Sequence, residues 1–556
     1  MTLLSRISKG TAVVAVVALA TVLTACTGGQ SPTSTSSGPS TLRVAAEATG
    51  PFTDQFNPYL RASIGASGHS LQAIYEPLMM VDYASSTTIP WLAKKATWNG
   101  DGTKLTLDLQ PGVKWSDGTA FTAQDVAYSF DLMEKYKALN FYGLPLKSAT
   151  ASGASTVTVD FTRPAFQSLW FLTKPVQQKQ WSSVTDPVTF TNPNPVGTGP
   201  YAFKSFTPQV ITLQKNASYW QKGSPKVDTV QYLSYDSESS MDAAIEGKQV
   251  DWITSSNTDP ATVTATSPKS LGSYIADLGV AIYLIPNAVT GPTADPALRK
   301  AISQAVNRPA VAKASFGPGA IPAKNVTGLD GSPNLIASKY KNETFGNGSA
   351  AKAKATLKAA GYKPGSNGYF VTPQGQPLSI AFTVPASATY GDWTKSATLL
   401  TSELKDAGIQ IVTKTEAAQA WRSDTATGRF EMTIRASGGT GSVYDALTRL
   451  VSQPVPPIGG NAVVNWERYN NPKAADLLGQ MAASNTGSAI YAKAIGGIQE
   501  MLVNDSPVIP LGFAAAVGIW RTDTFTGWPS SSSSYALPIG SNPGAAAILA
   551  KVSPVG

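Results

Sequence analysis

The chain has one cysteine, Cys26, and one histidine, His69, in 556 residues. No intrachain disulfide can form, and no cysteine/histidine zinc cluster can be assembled. A thiol–imidazole nucleophile would need both singletons. A Ser-His-Asp triad would have to use His69, which stands in the Gly/Ser-rich stretch 65–70 and reads as a surface or turn residue. Charge is scarce too: Asp, Glu, Lys and Arg make up 14% of the chain, against roughly 25% on average. There is no run of five like charges and no basic helix, so the formal net charge of +8 does not point to nucleic acid. Such an excess suits an anionic surface or simple solubility. Long apolar runs are also lacking. Beyond the N-terminus no stretch reaches the roughly 18 apolar residues that a membrane span needs. No phosphate-binding P-loop pattern occurs either.

What is present is a large polar-but-uncharged chain with 42% hydrophobic residues, enough for a sizeable core. At the N-terminus Arg6 and Lys9 precede the uncharged run TAVVAVVALATVLTA, residues 11–25. That is the length of a signal-peptide core and short for a span. Its end, Leu23-Thr24-Ala25-Cys26, resembles a bacterial lipobox. The resemblance implies cleavage before Cys26 and lipidation of its sulfur, so that acyl chains would hold the protein on a membrane. Residues 1–25 are thus read as a signal peptide and 26–40 as a flexible Ser/Thr/Gly tether.

Strand and helix signals follow. Thr41–Ala46 reads as a first strand, and Lys104–Leu109 alternates leucine with polar residues after a turn at 99–102. Thr122 and Asp125 form a capping box for a helix with Val126, Phe130 and Met133 on one face. Asp295-Pro296 and Asn471-Pro472 start further helices, Ser349 caps one that Gly361 closes, and Gly408 closes Lys395–Ala407. Short β runs are Val157–Phe161, Val210–Leu213, Val227–Leu233, Val250–Ile253, Ile380–Val384 and Glu431–Ile434. Their alternation with helices predicts α/β layering.

Six segments, in order, resemble the oligopeptide/dipeptide/nickel-binding class of ABC-importer substrate-binding proteins, the bacterial extracellular solute-binding proteins of family 5. They are GVKWSDGTAFTAQDV at Gly112–Val126, PVGTGPY at Pro195–Tyr201, Asn216–Asp228, Gly247–Asp251, Arg299–Arg308, and DSPVIPL at Asp505–Leu511. Most of these read as fold signatures. Gly197 and Gly199 would permit a backbone crossover, and Asp251 would finish a strand. The resemblance implies an α/β, periplasmic-binding-protein-like fold: two lobes, a central ligand cleft, and an extra subdomain inserted in the discontinuous lobe. The implied division is 41–85 lobe I, 86–194 the insertion, 195–290 lobe I again, 291–514 lobe II, and 515–556 a return to lobe I. It implies closure of the lobes around a ligand, a membrane permease and an ATPase as partners, a monomer, and no cofactor.

Peptide binders of this class often place an Asp near a Trp after a strand of the later lobe, where it pairs with the peptide ammonium. Here Glu431–Ile434 leads into Arg435-Ala436-Ser437 and then Gly438, Gly439, Thr440 and Gly441, so Asp445 is the candidate substitute. Phe56, Tyr59, Trp421, Tyr444, Trp466 and Tyr469 stand in polar or Gly/Pro-rich surroundings, with Asn57, Asn461 and Asn465 nearby. Aromatic faces beside amides suit sugar rings or peptide side chains. The candidate ligand contacts are therefore Phe56, Asn57, Tyr59, Trp421, Tyr444, Asp445 and Trp466. Oligopeptides are the first expectation and oligosaccharides the second, with nickel chelates behind them. The competing enzyme reading rests on Ser338-Lys339-Tyr340-Lys341, the Ser-x-x-Lys spacing of penicillin-recognising acyl enzymes.

Overall fold

The computed structural model describes residues 40–47, 50–82, 87–255, 259–317, 319–386, 393–437 and 442–556. The signal segment, the tether and Cys26 lie outside the described residues, as do Gly438, Gly439, Thr440 and Gly441. In chain order the principal strands are β1 (Thr41–Ala45), β2 (Ala93–Trp98), β3 (Lys104–Leu109), β4 (Leu146–Ser152) and β5 (Thr156–Phe161). Next come β6 (Tyr201–Phe206), β7 (Val210–Lys215), β8 (Thr229–Leu233), β9 (Trp252–Ser255) and β10 (Leu271–Pro286). The last are β11 (Ser379–Pro385), β12 (Gln410–Glu416), β13 (Met432–Ala436) and β14 (Ile509–Arg521).

One sheet runs through the molecule in the order β12-β11-β13-β10-β14-β9-β1-β8-β7-β6. At one side β1 is parallel to β8 and β9, and at the other β11 is parallel to β12 and β13. Between them β10 and β14 form an antiparallel pair from Leu271↔Arg521 to Leu284↔Ile509. The fold is the two-lobe α/β arrangement, with this pair common to both lobes. A separate four-stranded sheet, β2-β3-β5-β4, packs under the helix Ala123–Lys135. The first lobe's core joins that sheet to β1, β7 and β8 through residues such as Leu42, Val44, Leu107, Phe130, Leu213 and Val230. The second lobe's strands are covered on both faces. Leu284, Ile380, Phe382, Ile434 and Leu400 pack on one, and Tyr283, Ile285, Leu450, Tyr491 and Ile498 on the other. Among the described residues no helix is long and apolar enough to cross a membrane.

The local signals act as expected at several points. Thr122 and Asp125 form the capping box of Ala123–Lys135. Asp295 caps Pro296–Ala305, Ser349 caps Ala350–Ala359, and Asn471 caps Pro472–Ala482, each with a side-chain oxygen accepting a first-turn N–H. Gly361 and Gly408 take left-handed φ of 88° and 78° just past their helices. Two expectations are corrected. Gly197 and Gly199 permit the crossover through space and not through a backbone conformation other residues cannot reach: it lies against Ile74 and Ala73, where a β-carbon would overlap backbone carbonyls. Asp251 precedes β9 rather than finishing a strand, and its carboxylate accepts the Arg43 N–H at 2.9 Å.

Several family-like segments are structural. Trp115 Nε1 donates to Asp125 Oδ2 at 3.3 Å, tying the turn to the helix it precedes. Arg308 is fully buried, with Nε donating to Pro510 O at 2.6 Å and its guanidinium over the Phe345 ring at 3.5 Å.

Candidate functional site

The strand registers locate the site. β9 runs from Trp252, opposite Trp520, to Ser255, opposite Val517. β13 runs from Met432, opposite Pro286, to Ala436, opposite Ile282. Both therefore end toward the middle of the β10–β14 pair, and the parallel strands beside each end the same way. The carboxyl ends of two parallel strand sets thus converge over one crossing. In open α/β sheets, ligands bind beyond the carboxyl ends of the strands. The register shift between Asp277 and Val280 falls at this midpoint.

The second lobe gathers tryptophans and an arginine here, of which Trp466 and Arg435 are half-buried and Trp393 and Trp421 buried. Helices Trp393–Asp406 and Ala418–Thr427 begin at the carboxyl ends of β11 and β12, which places Trp393 and Trp421 at that edge. Their rings pack edge to face at 5.5 Å. Trp421 Nε1 donates to Thr433 Oγ1 at 2.8 Å, and that hydroxyl donates to Thr383 O. The indole is thereby fixed against β11 and β13. Arg435, near the end of β13, lays its guanidinium 3.4 Å above the Trp466 ring and 5.3 Å from that of Trp421. Such a stack fixes the orientation of a guanidinium. Behind it Glu467 is fully buried with neither carboxylate oxygen hydrogen-bonded among the described residues. Burial pushes its pKa up to about 8, against the opposing pull of Arg435, Arg468 and Arg299.

The first lobe's edge carries Glu47, just beyond β1. His69, buried and left-handed at φ 65°, directs Nε2 at its carboxylate. That bond holds the Glu47 pKa below the usual range. Behind this pair Gln72 bridges Ser541 O and the ammonium of Lys174. Deeper in the lobe, Glu76 accepts hydrogen bonds from Trp91 Nε1 at 2.8 Å, Tyr219 OH at 2.9 Å and Trp220 Nε1 at 3.1 Å. Burial outweighs these donors and raises its pKa to about 7.

Of the sequence-derived candidates, Trp421 and Trp466 flank Arg435, but Trp421 is corrected as a ligand contact: it is buried in the second lobe's core with its indole N–H spent on Thr433, and only Trp466 is half-buried. Tyr444 and Asp445 lie in the first turn of the helix Val443–Val451, half-buried. Asp445 needs correction as an ammonium receptor, because its Oδ2 accepts from Arg449 Nε at 3.0 Å, one helical turn on. Three others belong to the first lobe's interior. Phe56 is fully buried against Phe203 and Phe206. Asn57 spends its amide on Pro187 O and Phe190 O, and Tyr59 packs on Trp181. Their Gly/Pro-rich surroundings are a loop folded into the core, where an amide satisfies buried carbonyls. Asn465 and Tyr469 are likewise buried, the Asn465 amide donating to Ser452 O and Tyr469 O. His69 is a turn residue, as expected, but not a surface one. Ser338 and Lys341 are exposed at the 3-10 turn Ser338–Tyr340. Sequence reasoning missed Trp393, Lys174, Glu76 and Glu467. No local pattern marks them, because their burial and their partners come from residues distant in the sequence.

Comparison with known proteins agrees with this geometry. Residues 87–454 match the model of the bacterial extracellular solute-binding proteins, family 5. The glutathione-binding protein GsiB of Escherichia coli K12 is 26% identical over 438 residues, covering 76% of this chain and 79% of GsiB. The periplasmic oligopeptide-binding protein of an ABC transporter from Thermotoga maritima superposes with a TM-score of 0.81 at 21% identity, over 93% of this chain and 99% of that one. The same protein with mannohexaose bound gives 0.73 at 22% identity, over the same shares of the two chains. With a family match over most of its length, and the two-lobe fold and converging strand ends to go with it, the chain belongs to the bacterial extracellular solute-binding proteins of family 5.

Proposed function

We propose that this protein captures oligopeptides outside the cytoplasm and delivers them to an ABC import permease, whose ATPase supplies the energy. Removal of residues 1–25 and lipidation of Cys26 would anchor it as a monomer on the cell membrane through the tether. Proteins of this family bind small molecules for such permeases. The observation that carries the peptide reading is charge of both signs at the converging strand ends: Glu47 held by His69 on one lobe, Arg435 held by Trp466 on the other. A peptide carries an ammonium, a carboxylate and a row of amides, whereas a neutral sugar needs neither ion. Tyr444 and Trp466, both half-buried, then offer surfaces for side chains. The same surfaces favour oligosaccharides as the second reading, because aromatic faces also stack on sugar rings.

Native mass spectrometry of the purified protein, followed by thermal shift with peptide and oligosaccharide panels, tests this. Ligand at about a hundred times its Kd stabilises the protein by roughly 2.7 kcal/mol. Peptides are expected to raise the melting temperature, and Trp466→Ala to abolish most of that shift. Stabilisation by oligosaccharides alone would reassign the ligand. Cys26→Ser is expected to move the protein from the membrane to the soluble fraction.

A further inference from the structure

Lys174 is a cation without an anion. Its Nζ donates to Gln72 Oε1 at 2.7 Å, and that amide is its one hydrogen-bond partner among the described residues. No carboxylate there pairs with it, and burial alone lowers its pKa to about 7. The amide is oriented from its other end, since Gln72 Nε2 donates to Ser541 O at 3.0 Å. The neighbouring Gly540 N–H donates to Thr254 Oγ1, in β9, at 3.0 Å. The ammonium is therefore tethered to the segment that lies on the carboxyl-end edge of the first lobe, the side that meets the second lobe. Polar atoms on flanking residues are also left over. The Ser70 and Thr173 hydroxyls and His69 Nδ1 are buried with no partner among the described residues. A half-buried ammonium with no counter-charge is unfavourable. Hydroxyls without partners add to the penalty. An anionic group of the ligand, seated against the ammonium, would supply the missing counter-charge.

We propose that Lys174 is the first lobe's receptor for a ligand carboxylate, with Gln72 holding the ammonium in place and the Ser70 and Thr173 hydroxyls available to the anion. This rests on the reading of the converging strand ends as the ligand cleft. It adds to the proposed function an acidic ligand group and the lobe that reads it.

Calorimetric titration of the full-length protein with tri-alanine, tri-alanine amide, glutathione and mannohexaose tests the proposal. A charged hydrogen-bonded contact corresponds to roughly tenfold or more in affinity. The wild type is expected to prefer tri-alanine over its amide by about that factor. Lys174→Met should lose the preference, and Lys174→Arg should keep part of it. Without ligand, Lys174→Met should melt no lower than the wild type, since it removes an uncompensated charge; this separates lost binding from lost folding. Equal affinity for acid and amide in the wild type, or an undiminished preference in Lys174→Met, overturns the receptor while leaving the peptide reading intact. Binding of mannohexaose with none of the three peptides overturns both.

Discussion

At the scale of single residues, the chain concentrates its few ions where they do most. Glu76 gathers donors from Trp91 and from the adjacent pair Tyr219 and Trp220, two segments far apart in the chain. Glu76→Ala would leave two indole N–H groups and a phenol buried and unpaired. The expected loss is about 3 kcal/mol or more, read by urea unfolding. The pH dependence has a definite sign. The folded pKa of about 7 exceeds the ordinary 4.5, so the folded state binds the proton more tightly. The stability this contributes is fully present below about 4.5 and is lost as pH rises through about 7. Urea unfolding across that window should show a decline in the wild type that Glu76→Gln lacks. A slope shared by both proteins would place the titration elsewhere. None of these pairings was legible in the sequence. Glu76 meets Tyr219 across 143 positions and Lys174 meets Gln72 across 102. Spacing rules see only neighbours within a turn or a strand, which is why Trp421 and Trp466 could be named from their surroundings while Trp393 and the buried ions could not.

At the scale of elements, legibility followed amphipathicity. β3 and the helix Ala123–Lys135 each have one wet face and were readable from period and cap. β10 and β14 were not. β14 is buried along nearly its whole length, and its run IPLGFAAAVGIWR has no alternation and little β-branching. Its glycines record close approach: a β-carbon at Gly512 would press on Ile321 and one at Gly518 on Pro538. The crossover Pro195–Tyr201 obeys the same logic. Gly197→Ala is expected to destabilise by about 3 kcal/mol or more, because the obstacle is the Ile74 carbonyl and not a side chain that can turn away. Chemical denaturation checks this, and a variant as stable as the wild type would mean that the crossover can move.

At the scale of the whole molecule, the lobes meet at a second place far from the β10–β14 pair in sequence. Gln167, on the segment after β5, donates through Nε2 to Ser484 O at 2.7 Å and to Thr486 Oγ1 at 3.3 Å. The acceptors lie between the helices Pro472–Ala482 and Ala489–Asp505. Each such bond is worth about 0.5–1.5 kcal/mol, so Gln167→Ala should shift the population toward open forms several-fold. Small-angle scattering of the ligand-free protein should then give a larger radius of gyration, and an unchanged curve would remove the contact from any role in closure. The shared pair of strands has a further consequence, for unfolding. Two lobes joined by flexible linkers could melt one at a time. Here the same backbone ladder edges both, so neither lobe can lose its sheet without stripping partners from β10 or β14. A calorimetric trace of the intact chain should therefore show a single cooperative transition, with any ligand moving the whole peak rather than splitting it.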